Sequence, residues 1–138
     1  MLVVLAAASL WRNRGWWEIP NLLGSTFYGV RAFRPGLQRA TLAGGALQVM
    51  ICGCVGALFG LLFGRVQSRR RMLLYGALAG VVWSYVADAV LWRQVNPLVP
   101  MYSGQPAAVL AHALFGICLG YMGRPQIPEA KPLGDAVE

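Results

Sequence analysis

Three apolar stretches constrain this chain more than anything else in it. Residues 42–64 contain no charged side chain, residues 72–92 contain one, Asp88, and residues 106–123 contain none but hold the only histidine, His112. A helix that crosses the hydrocarbon core of a bilayer needs about 20 mainly apolar residues. All three stretches meet or approach that length. The rest of the chain gives no way to hide them in water. Of 138 residues, 57% are hydrophobic and 12% charged, against about 45–50% and about 25% in an ordinary soluble domain. This balance excludes a soluble domain, a disordered chain and a small disulfide-stapled module. The expected fold is all-α: a single transmembrane helix bundle over residues 1–124 with three full spans.

The N-terminal part is expected to add less than a span. Residues 1–10 are apolar, but ten residues of helix reach only about 15 Å, half the hydrocarbon core. They read as a partial or truncated helix whose start lies upstream, with interfacial placement as the alternative. Residues 11–41 read as an interfacial connector. Trp11, Trp16 and Trp17 suit the water–lipid boundary. Asn21 is placed to cap a short interfacial or re-entrant helix over residues 22–30, and Pro35-Gly36 breaks the chain before the first full span. The last residues, 125–138, are expected to be disordered.

Twelve basic and five acidic residues give a net charge of +7. The basic residues sit in short segments between apolar runs, with no nucleic-acid motif, so anionic lipid headgroups are the expected partners and nucleic acid is not. The 65–71 connector carries four arginines and the 93–105 connector one. The positive-inside rule therefore puts the first connector and the C-terminus in the cytoplasm. Arg12, Arg14, Arg31, Arg34 and Arg39 on the opposite side conflict with that rule. Cys52, Cys54 and Cys118 lie inside apolar runs without a CxxC pattern, and read as small apolar fillers rather than metal or redox groups.

A spacing of four recurs in all three spans. The first has Gln48, Cys52, Gly56, Gly60 and Gly64; the second Gly76, Gly80, Ser84 and Asp88; the third Ala108, His112, Gly116 and Gly120. Such small-xxx-small ridges let membrane helices approach closely. A step of four drifts about 40° around the helix, so each ridge spirals. Counted from one side of the bilayer, Gln48, Asp88 and His112 share a depth of about 6–9 Å below the ends of their spans. With Ser84 they form a candidate polar cluster. An aspartate in a membrane helix calls for a partner, and His112 is the ionisable group at its level. The pair reads either as a structural hydrogen-bond clamp or as a proton relay.

No HExxH, P-loop, GxSxG or paired-carboxylate pattern is present, and one histidine cannot ligate haem on both faces. No enzyme activity, cofactor or metal is therefore expected. Asn96-Pro97-Leu98, Ala111-His112 leading to Phe115-Gly116, and the stretch from Trp17 to Gly29 resemble small uncharacterised multi-pass inner-membrane proteins of bacteria. The resemblance implies four helices with a complete first span, and no activity or substrate. The expectation is a non-enzymatic integral protein of the bacterial inner membrane. It would be a small structural or accessory subunit packed through glycine ridges, in a homo-oligomer or a larger membrane complex. The alternative is a proton-linked small-solute carrier or channel using Asp88 and His112.

Overall fold

The computed structural model describes residues 2–11, 13–66, 68–102 and 105–123, and among these every regular element is helical. The tail from residue 124, with its expected disorder, lies outside the described residues, as does Arg12. Helix α1 spans Leu2–Trp11 and α2 spans Glu18–Tyr28, followed by a 3-10 turn at Gly29–Phe33. Helix α3 is Arg39–Phe63. Helix α4, Arg69–Val86, runs through a π-helical turn at Ala87–Leu91 into α5, Trp92–Val95. Helices α6, Leu98–Tyr102, and α7, Gln105–Met122, complete the chain.

Two of these helices are long and apolar enough to cross a membrane: Arg39–Phe63, with 25 residues, and the continuous rod Arg69–Val95, with 27. Each extends past its apolar run at the N-terminal end into arginines. Helix α7 is shorter, with its apolar part at Pro106–Met122. Local chemistry sets the ends. Gln38 and Thr41 form a reciprocal capping box at the start of α3, in which Thr41 Oγ1 accepts the Gln38 N–H at 2.9 Å. Asn96 is extended because it precedes Pro97, which ends α5. Its Oδ1 then accepts the Leu98 N–H at 3.2 Å and starts α6.

Two antiparallel helix pairs make the bundle, and glycine makes both. In the first, α2 lies along α3. A Cβ at Gly24 would land on the Ala40 carbonyl oxygen, and one at Gly44 on the Pro20 carbonyl oxygen. In the second, α7 lies along α4. A Cβ at Gly76 would strike the Gly116 carbonyl oxygen, one at Gly116 the Gly76 carbonyl oxygen, and one at Gly80 the His112 carbonyl oxygen. Gly120 meets the Met72 backbone in the same way. Backbone touches backbone in both seams, as it does where small residues line a helix contact.

The ridge on α3 behaves differently from the expectation. Gly60 has nothing within 4 Å of its Cβ position, Gly56 meets only Leu119 Cδ2 at 3.3 Å, and Gly64 meets only Gly60 of its own helix. The drift explains it. Gly44 faces α2; Gly60 lies four steps of four further on, turned by about 160°. A short partner such as α2 cannot follow the ridge that far. The ridge of α4 stays covered because α7 accompanies it, and Met72, Gly76, Gly80 and Ser84 are all buried.

The connector is also more embedded than its sequence suggests. Helix α2 begins at Glu18, a turn before the expected cap at Asn21, and buries Pro20 to Ser25. Pro20 fits because the first backbone N–H groups of a helix have no partner in it anyway. Leu22 and Leu23 join Ala87, Trp92 and Val99 in the buried apolar core, with Leu47, Ile51 and Trp83 packed around it.

Candidate functional site

The four residues expected to form one polar cluster are each bonded first within their own helix, Asp88 excepted. The Ser84 hydroxyl donates to the Val81 carbonyl at 2.7 Å. His112 Nδ1 lies 2.7 Å from the Ala108 carbonyl. A carbonyl only accepts, so Nδ1 carries the proton. Gln48 is buried, and its Nε2 lies 3.2 Å from Cys52 Sγ, one turn on. The Asp88 carboxylate and the His112 ring feel each other's charge across the α4–α7 side of the bundle. Among the described residues, no hydrogen bond or ion pair joins them directly.

The π-helical turn accounts for the position of Asp88. In an uninterrupted α-helix the step of four would bury it behind Ser84. Instead the Trp92 N–H reaches back five residues to the Ala87 carbonyl, and the wider turn re-phases the residues beyond it. Ala87 takes the buried place at 2% exposure, Trp92 comes five residues later, and Asp88 is only partly buried. It borders a cleft of about 500 Å³ with Ser84, Tyr85, Arg93, Pro100 and Pro106. A carboxylate and a guanidinium thus share one opening beside α6.

A different polar cluster, missed in the sequence, holds the fold together. The Thr41 hydroxyl donates to Asn21 Oδ1, joining α3 to α2. Asn21 Nδ2 donates to the carbonyls of Arg34 and Gly36 at 3.4 and 3.3 Å. Asn96 Nδ2 donates to Ser25 Oγ at 2.7 Å and to Thr26 Oγ1 at 3.1 Å, while the Ser25 hydroxyl donates to the Leu22 carbonyl at 2.6 Å. Asn21, Ser25, Thr41 and Asn96 are all buried. Buried polar groups satisfied this fully fix a unique packing. The signal was present in the spacing: Asn21 and Ser25 are four apart, on one face of a helix.

Comparison of the chain with protein-family models, curated proteins and solved structures finds no match. Geometry and chemistry alone therefore bear on its function.

Proposed function

We propose that this chain is a non-enzymatic, multi-pass protein of the bacterial inner membrane, with α3, the Arg69–Val95 rod and α7 as its three spans. In this reading it works as a small structural or accessory subunit that associates with other helices in the bilayer. The distribution of side chains supports the membrane placement. Only 11% and 22% of the most apolar windows of the two long helices are buried. Leu61, Leu74 and Leu78 lie on the outside while glycines face each other within. A soluble protein rarely leaves so much contiguous apolar surface in water; a helix in lipid has no reason to cover it.

The observation that carries the accessory role is the outward turn of Gly53 and Gly60 on α3, where a Cβ would meet nothing within 4 Å. The other seams are consumed within the chain, and this small-residue face is left for a neighbouring helix. Gly60→Leu should leave insertion and the monomer fold intact and remove association, measured by cross-linking in membranes and by particle mass in mild detergent. A wild-type chain that is monomeric and partner-free in both measurements would sink the accessory role.

A second reading, a proton-linked carrier, draws on the cleft beside Asp88 and on the nearness of His112 to it. Proton-linked solute flux in liposomes, abolished by Asp88→Asn, would favour it over the first.

A further inference from the structure

We propose that the groove between α3, α4 and α7 holds one acyl chain of an anionic phospholipid, whose phosphate rests on the arginines at the groove's end. The proposal rests on the membrane placement given above.

The groove exists because consecutive helices part. Helix α3 is committed to α2 and α4 to α7, so past the α2 contact the C-terminal half of α3 stands away from the α4–α7 pair. The gap holds about 330 Å³ and is walled by side chains such as Leu58 and Leu62 of α3, Leu78 and Val82 of α4, and Phe115 and Leu119 of α7. Water would find no hydrogen-bond partners among these side chains. An empty gap would forfeit dispersion contacts along three helices. Hydrocarbon satisfies both conditions.

Size distinguishes a lipid chain from a protein segment. Along α4 the wall runs from Tyr75 to Val86, about 16 Å at 1.5 Å per residue, which matches one leaflet of a hydrocarbon core about 30 Å thick. A helix with side chains, about 10 Å across, needs on the order of 1,200 Å³ over that length. The groove offers about a quarter of this.

Charge distinguishes the headgroup. The groove ends at Phe63 and Tyr75. Arg65 lies two residues beyond Phe63, and Arg71 precedes Tyr75 by one turn. Arg65, Arg69, Arg70 and Arg71 are all exposed. Arg69 stands over the Tyr121 ring at 4.5 Å, which brings the end of α7, the third wall, to the same patch. Among the described residues the only carboxylates are Glu18 and Asp88, and neither pairs with these arginines. Guanidinium groups bind phosphate oxygens in a two-pronged fashion, and the negative surface of a membrane leaflet adds to the attraction. The chain in the groove and the phosphate on the arginines belong to one molecule.

The test uses the full chain reconstituted with phosphatidylglycerol and phosphatidylcholine of identical acyl chains, then released into mild detergent for native mass spectrometry. One phosphatidylglycerol should stay bound per chain. Arg65→Gln with Arg71→Gln should reduce its preference over phosphatidylcholine by about 25-fold, at about 5-fold per arginine. Ala79→Phe, which fills the groove and leaves the arginines in place, should release the lipid. Equal retention of both lipids, or a lipid-free dimer, would overturn the site and leave the membrane placement standing. Release of the native chain from membranes by alkaline carbonate would overturn both. Lipid retention unchanged in the Ala79→Phe variant would overturn the groove as the place of binding.

Discussion

Gly76→Ala should separate α4 from α7. The new Cβ would fall on the Gly116 carbonyl oxygen, where ordinary contact needs 3.4–4 Å. The obstacle is backbone, so no rotamer change relieves it, and the helix axes must part by about 1 Å. A gap of that size forfeits a quarter to a half of each dispersion contact it opens. The seam includes Gly80, Gly116 and Gly120, all in backbone contact, so the loss spreads beyond one residue. Overpacking in a tight core costs about 1–3 kcal/mol, and this site belongs at about 3. Gly60→Ala is the control, because its Cβ enters open space. It should be neutral or should stabilise by about 0.5–1 kcal/mol, through the lost backbone entropy of glycine. Unfolding in bicelles by SDS titration or steric trapping measures both variants. Opposite signs are expected. A Gly76→Ala chain within about 0.5 kcal/mol of wild type, or a Gly60→Ala chain destabilised as much as Gly76→Ala, would refute the assignment of the seam.

The geometry sets three further outcomes. Ser25→Ala and Asn96→Ala should each destabilise by about 1–3 kcal/mol, and a double-mutant cycle should show coupling of at least about 0.5 kcal/mol; additive losses would mean that the two side chains do not depend on each other. Asp88→Asn should fold and insert with stability within about 0.5 kcal/mol of wild type, since among the described residues no hydrogen bond or ion pair holds the carboxylate, and denaturant unfolding checks this. In a cysteine-free chain, Ser68→Cys should react with a membrane-impermeant maleimide from one side of the membrane only. Cysteine retained only at position 54 should be shielded from the same reagent until detergent is added.

The features legible in the sequence were those that depend on run length. The apolar runs gave the helices Arg39–Phe63, Arg69–Val95 and Gln105–Met122 within a few residues at each end, because hydrophobic length is a one-dimensional property. The seam through Gly76, Gly80, Gly116 and Gly120 was legible too, since both helices carry the ridge and remain together along it. The ridge at Gly56, Gly60 and Gly64 misled for a geometric reason: spacing shows that a stripe exists, not whether a partner is long enough to follow its spiral. Burial of α2 was hidden because a short, mixed segment looks interfacial until its glycine meets another on α3. The position of Asp88 was hidden because nothing in ADAVL announces that the helix will widen there.

The widened turn at Ala87–Leu91 also makes the rod one residue longer than its hydrogen-bond ladder requires. A helix of this kind is what an α-helix becomes when it absorbs an insertion without breaking. The reverse change is then available. Deleting Ala89 would let the backbone close into ordinary α-helix, with no loss of helical continuity and little change in apolar length. Everything C-terminal to the deletion would turn by about 100°, carrying Trp92 out of the core and Asn96 away from Ser25 and Thr26. The surplus residue therefore acts as the phase marker of the rod. It aligns the glycine seam with α7 on one side of the turn and the clamp onto α2 on the other, and joins two packing frames that a uniform helix could not serve together.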